Sequence, residues 1–446
     1  MIMRSALIIF ALFLAAPVTA APVAFVNVNV LPMSDDSIVE AQTVLVENGR
    51  IMAIGPVDEV PIPKHATVVD GTDRFLMPGL AEMHAHVPDA DAPELDRDFS
   101  LFVANGVTTV RGMLGRPSHL PLRQQLLDGT VFGPRLITSG PSLNGRSVTG
   151  PEHAARLVAE QHAAGYDFIK IHPGLEADEF AAIAKAAGGL GMPFAGHVPV
   201  AVGVYRVLEL DMATIDHLDG YFAAMLRPDS QGAGGYGGFF DVMLAGEVEA
   251  AQIPVIARAT AEAGTWNVVT ETLVEQLVND TPASDLRNRP EMRYMPKATV
   301  RDWVQAKKAQ QAEHGFDPQL AARAIALRRS LIRELDKAGA GFLLGSDAPQ
   351  IFNVPGFSLH RELELLVAAG LSPFAALRAG TVAPAEFLGL NTGMVAVGRD
   401  ADLVLLDANP LSDVANTRRI HGVMLRGQWY PAGTLQARID RFLSAD

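Results

Sequence analysis

Short apolar runs alternate, along the middle of the chain, with longer segments in which apolar residues recur every three or four positions. The first pattern is typical of buried strands and the second of amphipathic helices. Helical patterns include residues 154–163, 176–187 and 318–338. The strand-like runs occupy residues 76–86, 106–111, 135–139, 167–172, 193–197, 213–217, 266–270 and 341–347. Strands and helices in this alternation predict an α/β fold, a (β/α)8 TIM-type barrel over residues 76–390.

The two ends of the chain have a different pattern. Residues 22–75 contain short strands, and Asn48-Gly49 between two of them is a strong hairpin signal. Because the C-terminal residues look similar, we expect residues 21–75 plus 391–446 to form one small β-sandwich domain. The segment from about 222 to 320 is longer than a simple crossover, and its Gly-rich residues 231–238 predict a mobile loop near the barrel mouth.

Residues 1–20 predict a secretory signal peptide. Residues 1–4 carry a positive charge, residues 6–16 are almost wholly apolar, and cleavage is expected after Ala20. The apolar stretch is too short to span a bilayer, although an N-terminal membrane anchor is the alternative. We therefore expect a periplasmic or secreted protein with no membrane attachment after cleavage.

Composition narrows the chemistry that the chain can perform. The 446 residues carry a net charge of −14 and no Lys/Arg-rich run. This argues against a nucleic-acid partner, because phosphate binding needs a basic face. The chain has no cysteine, so disulfides and thiolate metal ligands are excluded. Any metal site must therefore use His, Asp, Glu or a modified Lys.

Two histidines end the first barrel strand, and other metal-competent residues end later strands. His84 and His86 are two residues apart, so both side chains point to the same face of a strand. Active sites of such barrels lie at the carboxyl ends of the strands. The other strand-end candidates are Lys170, His197, His217 and Asp347. Taken singly, the later histidines could be hydrogen-bonded core residues and Asp347 a helix cap. Together they predict a metal site.

Lys170 lies in an apolar strand, where an unpaired ammonium is costly. One interpretation is that its amine extends to solvent. The other is that a neutral amine adds carbon dioxide and becomes a carbamate, which is an anionic oxygen ligand. Such a group could bridge two divalent metals, with Asp347 and a hydroxide completing the neutralisation of their charge.

At these positions the chain resembles the amidohydrolase superfamily, particularly its binuclear branch with a carboxylated lysine. The matching segments are residues 77–80 with the His84 and His86 pair, 106–111, 168–170, 196–197, 215–217, 345–347, 398–407 and 423–427. The resemblance covers essentially all of the mature chain. It implies a barrel with a flanking β-sandwich and metal-dependent hydrolysis.

The resemblance also implies roles for the candidate residues. The more buried metal would be held by His84, His86 and Asp347. The more exposed metal would be held by His197 and His217, with Lys170 bridging both metals as the carbamate. Two Zn²⁺ ions are expected, because imidazole ligands favour zinc and no redox chemistry is needed. Asp347 would take a proton from the bridging hydroxide and deliver it to the leaving amine.

Four neighbouring residues could handle substrate, and each has a structural alternative. His172 could polarise the scissile carbonyl or bind a substrate carboxylate, or it could make a supporting hydrogen bond to the carbamate or a backbone carbonyl. Tyr221 could donate to an oxyanion or pack at the lip of the site. Arg111 could anchor a carboxylate or brace the barrel with an ion pair. His360 could contact substrate or Asp347, or lie at the surface.

The expected substrate is a small molecule. The chain looks nearest to imidazolonepropionase-like and prolidase-like amidohydrolases, including exported dipeptidases, which favours a dipeptide or N-acyl amino acid. Many of these dipeptidases carry Gly-Gly-His after the third strand, whereas residues 138–143 here read Thr-Ser-Gly-Pro-Ser-Leu. The alternatives are hydrolysis of a cyclic amide, lactone or ester, and a non-catalytic exported metal- or solute-binding protein. Relatives often self-associate, so a homo-oligomer is an option that no segment marks.

Overall fold

A computed structural model describes residues 21–230, 237, 239–312 and 317–443. The predicted signal peptide and all of the predicted Gly-rich loop except Gly237 lie outside the described residues. Among the helices in the described ranges, none combines the length and the apolar composition that crossing a membrane requires.

The strands fall into two groups along the chain. The N-terminal strands are β1 (Val23–Val30), β2 (Val39–Glu47), β3 (Arg50–Pro56), β4 (Thr67–Asp70) and β5 (Phe75–Pro78). The central strands are β6 (Leu80–Ala85), β7 (Val107–Gly112), β8 (Arg135–Thr138), β9 (Ile169–Ile171), β10 (Phe194–Gly196), β11 (Thr214–Asp216) and β12 (Trp266–Val268). The C-terminal strands are β13 (Leu403–Leu406), β14 (Ile420–Leu425) and β15 (Gln428–Pro431).

Helices separate the central strands, as the 3.6-residue periodicity predicts. Those in the first half are α1 (Leu95–Ala104), α2 (His119–Leu127), α3 (Pro151–Ala164), α4 (Ala177–Leu190), α5 (Val204–Glu209), α6 (Tyr221–Ala224) and α7 (Ile253–Ala263). Those that follow are α8 (Glu271–Val278), α9 (Ala283–Arg287), α10 (Lys297–Ala312), α11 (Pro318–Ala338), α12 (Phe357–Ala369), α13 (Pro373–Ala379), α14 (Val382–Leu388) and α15 (Ala432–Ile439).

Strands from both ends of the chain belong to one mixed sheet. The strand order is β15-β14-β13-β5-β1-β2-β3, and β4 pairs with β1. The antiparallel pairing of β13 with β5, in which Val404 faces Met77, joins the C-terminal strands to the N-terminal ones. Asn48 and Gly49 both have positive φ, 52° and 77°, which suits the tight turn between β2 and β3. The division of this sheet into two packed layers, as in a β-sandwich, stays a prediction.

The central strands form two parallel sheets, β6-β7-β8 and β9-β10-β11-β12. The predicted eighth strand is an extended segment, 342–348, that makes single bridges instead of a regular ladder. Parallel bridges link the sheets at Ser139–Phe168, Asn267–Phe342 and Ala85–Ala348. This order of hydrogen-bonded neighbours is consistent with a (β/α)8 barrel, whose closure stays a prediction. The parallel strands place their carboxyl ends on one face.

The segment between β11 and α11 carries a small core of its own. Short 3₁₀ helices at Phe239–Leu244, Ala250–Gln252 and Pro290–Tyr294 accompany α7 to α10 there. Buried Tyr294 and Trp303 pack with Phe352, which lies beyond the eighth strand segment. This part of the chain therefore packs against the residues that follow the segment 342–348.

Candidate active site

The first two histidines and the aspartate meet at the carboxyl ends of β6 and the segment 342–348. One ligand atom from each of His84, His86 and Asp347 lies within 4.8 Å of the other two. The Asp347 Oδ1 atom is 3.1 Å from His86 Nε2 and 3.6 Å from His84 Nε2. Three residues from opposite ends of the barrel sequence therefore face one point, at a separation suited to one metal ion.

The remaining predicted ligands adjoin this trio. The His217 ring lies 4.5 Å from the His84 ring and 4.7 Å from the His197 ring, between centroids. Lys170, at the centre of β9, is 1% exposed. Electrostatic interactions couple its amine with His84, His197 and Asp347. The structure thus brings all six predicted ligands into one cluster, although their role as ligands stays a prediction.

Oxygen atoms of neighbouring side chains flank three of the histidine rings. A hydroxyl or carboxylate oxygen lies close to the Nδ1 atom of each of three rings. The pairs are His197 with Asp219 at 2.5 Å, His217 with Thr270 at 2.8 Å, and His84 with Asp216 at 3.0 Å. The hydrogen bonds of His197 and His217 fix the orientation of these two rings and leave Nε2 for a metal ion, whereas His84 and Asp216 are close without forming a hydrogen bond.

Burial shifts the pKa values of the histidines and the lysine toward the neutral forms, and it raises the pKa of Asp347. It lowers the pKa of His84 and His217 well below the usual value, and lowers that of His197 to about 3. It also lowers the pKa of Lys170, an effect that nearby Asp216 opposes. Neutral imidazoles and a neutral amine are the forms that bind metal or add carbon dioxide.

Several buried polar atoms at this point lack a hydrogen-bond partner in the part of the chain that the structure describes. They are His84 Nδ1, Lys170 Nζ, Asp216 Oδ2 and Asp347 Oδ1. Unpaired buried polar atoms are costly, so the cluster calls for a further group. A divalent cation beside Asp347 Oδ1 and the histidine Nε2 atoms fits this donor set. A second cation would fit only if Lys170 carried a carbamate, because an ammonium repels it.

Three residues at the cluster have left-handed backbone conformations. His217, Thr270 and Asp347 have φ values of 63°, 50° and 62°, in the left-handed region that residues with a Cβ rarely adopt. Such conformations cost free energy and persist where the surrounding structure enforces them, often at functional sites. Here they occur where the chain leaves three barrel strands, and they aim two ligand candidates and one supporting hydroxyl into the cluster.

His172 lies against this cluster. Its ring stacks on that of His197 with centroids 4.9 Å apart and planes at 24°. Burial lowers the pKa of His172 to about 2, so the ring is neutral. Its position is compatible with either predicted role, contact with a substrate carbonyl or support of the ligands.

The structure places the hydroxyl of Tyr221, a predicted substrate-handling residue, inside the fold. The Tyr221 side chain is fully buried, and its hydroxyl donates to Asn267 Oδ1 at 2.9 Å and lies 3.1 Å from Thr260 Oγ1. The hydroxyl is therefore used inside the fold between β12 and α7. This placement supports the packing alternative, and the oxyanion role stays a prediction.

Arg111 is also buried among the central strands. Its side chain has no exposed surface, and its Nε donates to the Met83 carbonyl at 2.7 Å. The guanidinium sits 5.4 Å from the Phe168 ring centre and 5.5 Å from that of Phe387. Its charged partner is Asp216, 3.6 Å away. This placement supports the bracing alternative for Arg111, and its contact with substrate stays a prediction.

His360 is likewise committed elsewhere. It is buried in α12, and its Nδ1 lies 2.8 Å from Thr417 Oγ1 in a 3₁₀ helix next to the end-domain strands. Neither a surface location nor contact with Asp347 or substrate agrees with this placement. The prediction failed because a helical position gives no information about which neighbouring element covers it.

Four supporting residues were missed by the sequence reasoning. Gln350 donates from Nε2 to Asp347 Oδ2 at 3.2 Å. The others are Asp216, Asp219 and Thr270. The available signal was proximity, since Asp216 and Asp219 flank His217 in the sequence Asp-His-Leu-Asp. Polar residues beside a predicted ligand are candidates for holding another ligand's ring.

Known proteins resemble this chain over most of its length. Residues 75–430 match the sequence model of the amidohydrolase family. The enamidase of Eubacterium barkeri is 24% identical over 382 residues, which cover 85% of this chain and 84% of the enamidase. A Bifidobacterium longum protein assigned as a prolidase is 25% identical, with a TM-score of 0.68 and coverage of 95% of this chain and 99% of that one. Bottromycin amidohydrolase shares the fold, with 23% identity, a TM-score of 0.72 and coverage of 96% and 92%.

Proposed function

The chain belongs to the amidohydrolase family, and from this premise we propose that it is a metal-dependent hydrolase that cleaves a C–N bond of a small amide substrate. The observation that carries the proposal is the meeting of His84, His86 and Asp347 within 4.8 Å at the carboxyl ends of the barrel strands. We further infer that the parallel strands close into a (β/α)8 barrel, which the bridge between Ala85 and Ala348 supports.

The residues present divide into two metal-holding groups. His84, His86 and Asp347 would hold one divalent ion, with Zn²⁺ expected from the imidazole ligands. His197 and His217 would hold a second ion, with Lys170 between the two as a carbamate. In that modification the neutral Lys170 amine forms an N–C bond with carbon dioxide and releases one proton. The two ions would supply Lewis acidity and make a water molecule acidic at neutral pH.

Side chains of the protein transfer the protons in the proposed reaction. Asp347 takes the proton from the attacking water and delivers it to the nitrogen of the leaving amine as the C–N bond breaks. Gln350 orients the Asp347 carboxylate through its hydrogen bond to Oδ2, which leaves Oδ1 directed at the histidines. His172, stacked on His197, is placed to contact the substrate carbonyl.

Two substrate classes follow. A dipeptide or N-acyl amino acid is supported by the likeness to the assigned prolidase. The burial of Arg111 weakens this choice, because the predicted anchor for a substrate carboxylate has no exposed surface. A non-peptide amide is supported by the match to the enamidase. We also propose that residues 1–20 direct export to the periplasm or exterior, on the sequence pattern alone.

The test is elemental analysis of the purified protein, supplied with zinc and bicarbonate, followed by a substrate screen. We expect near two zinc ions per chain and hydrolysis of at least one amide. Turnover of Xaa-Pro dipeptides would select the first substrate class, and turnover restricted to neutral or cyclic amides would select the second. Bound zinc without hydrolysis of any amide, lactone or ester would favour the non-catalytic alternative. A metal-free protein under these conditions would refute the proposal.

A further inference from the structure

A buried ion pair lies directly beneath the candidate metal site. Arg111 of β7 and Asp216 of β11 approach to 3.6 Å, and both side chains have no exposed surface. Thr214 links them, because its hydroxyl donates to Asp216 Oδ1 at 2.7 Å and accepts from Arg111 Nη2 at 3.4 Å. Burying two charges is costly, and an apolar pair of the same volume would often be at least as stable. The pair therefore calls for a role beyond stability.

The two oxygens of Asp216 face different groups. Oδ1 faces the supporting side, where Thr214 and Arg111 lie. Oδ2 faces the site, 3.0 Å from His84 Nδ1 and 3.7 Å from Lys170 Nζ. No hydrogen bond to Oδ2 is formed within the described residues. An ion pair that served only to brace the barrel would not require a second oxygen aimed at two candidate ligands.

Arg111 also holds the strand that carries the histidine pair. Its Nε donates at 2.7 Å to the carbonyl of Met83, the residue immediately before His84. The same guanidinium thus contacts the backbone that precedes His84 and the carboxylate beside the His84 ring. Through these contacts β7 holds the backbone before His84, and β11 places a carboxylate beside the His84 ring.

We propose that Asp216, held by Arg111, is a positioning residue that sets the ring of His84 and the amine of Lys170 for metal binding. The proposal rests on the metal-dependent function proposed above. The Asp216 carboxylate, with Oδ2 3.0 Å from His84 Nδ1, favours the ring orientation in which His84 presents Nε2 to the ion shared with Asp347. The positive charge of Arg111 offsets the negative charge of Asp216, so the carboxylate can lie near an anionic carbamate on Lys170.

The test separates positioning from charge balance with three variants. Asp216→Asn keeps the shape and removes the carboxylate but leaves Arg111 without its charged partner. The double variant Arg111→Met/Asp216→Asn removes both charges. Asp98→Asn is the matched control, because Asp98 of α1 is equally buried and pairs with Arg97 at 2.8 Å. For each protein, zinc affinity is measured by competition with a chelator, and the melting temperature is measured without metal.

We expect both Asp216 variants to bind zinc about 10–100-fold more weakly than the wild type, as outer-sphere changes commonly do. The metal-free melting temperature should fall in Asp216→Asn and recover in the double variant, while Asp98→Asn keeps the wild-type zinc affinity. If the double variant recovers wild-type zinc affinity, the pair serves charge balance only and the inference is overturned. It is equally overturned if Asp216→Asn binds zinc like the wild type. A wild type without zinc would instead refute the proposed function itself. If Asp216→Asn does not fold, the double variant decides the outcome.

Discussion

Replacing Asp347 by asparagine tests the proposed proton transfer most directly. The side chain is 3% exposed and lies where His86 Nε2 and Gln350 Nε2 both reach its carboxylate, at 3.1 and 3.2 Å. Asparagine has almost the same shape and keeps one oxygen that can face a metal ion or accept the bond from Gln350. It cannot take up a proton at neutral pH. The substitution therefore removes the base and preserves most of the geometry.

The expected loss can be bounded from this geometry. A positioned general acid–base group contributes about 10²–10⁴-fold to the rate. At about 1.36 kcal/mol per tenfold change, this corresponds to a barrier increase of about 2.7–5.4 kcal/mol. Because the remaining oxygen and both histidines stay in place, at least one metal should be retained. The loss should thus fall on kcat, with KM little changed, since the base acts in the transition state.

The assay is steady-state hydrolysis of the amide found in the screen, with zinc content determined on the same samples. Asp98→Asn, a buried carboxylate change on α1, serves as the control and should keep wild-type kcat. A kcat within threefold of the wild type for Asp347→Asn, with metal bound, would show that Asp347 is not the base. Loss of all metal would show instead that the carboxylate is needed for binding.

Three further predictions address other parts of the chain. Lys170→Ala should lose the paired site and retain at most one zinc per chain; two retained ions would disprove a bridging role. Tyr221→Phe should leave kcat within about twofold and lower the free energy of unfolding by about 0.5–1.5 kcal/mol, because its hydroxyl bonds Asn267 inside the fold; a large fall in kcat at unchanged stability would restore the catalytic interpretation. Burial lowers the pKa of His360 from 6.5 to about 3, so between these values the unfolded chain binds more protons and stability falls as pH decreases. Protonation of His360 in the unfolded chain lowers the free energy of unfolding by roughly 5 kcal/mol near pH 3 and does not affect it above about pH 7. The free energies of unfolding of the wild type and His360→Gln, measured with denaturant, should therefore converge as the pH falls. A pH-independent difference between them would contradict the assignment.

Local sequence patterns were sufficient to predict the order of the strands and the identity of the clustered residues. Alternation of apolar runs with amphipathic segments is a local property, and a residue that ends a parallel barrel strand must lie at the same face as the others. That is why His84, His197 and Asp347 could be expected to meet although more than 100 residues separate neighbours among them in the chain. Asn48-Gly49 similarly specified a hairpin through its own backbone preferences.

The contacts around those residues could not be predicted from local sequence patterns and became apparent in the folded structure. Arg111 ends a strand, as the predicted ligands do, and Tyr221 follows His217 by four residues. The Arg111 side chain nevertheless bonds the Met83 carbonyl, and the Tyr221 hydroxyl bonds Asn267 of β12. The direction of a side chain at a strand end depends on twist and on which neighbour fills the adjacent space, and neither is encoded in spacing. The role of Asp216 emerged for the same reason. Its two oxygens join Arg111 and His84, residues on other strands, and a contact between distant segments exists only once the chain has folded.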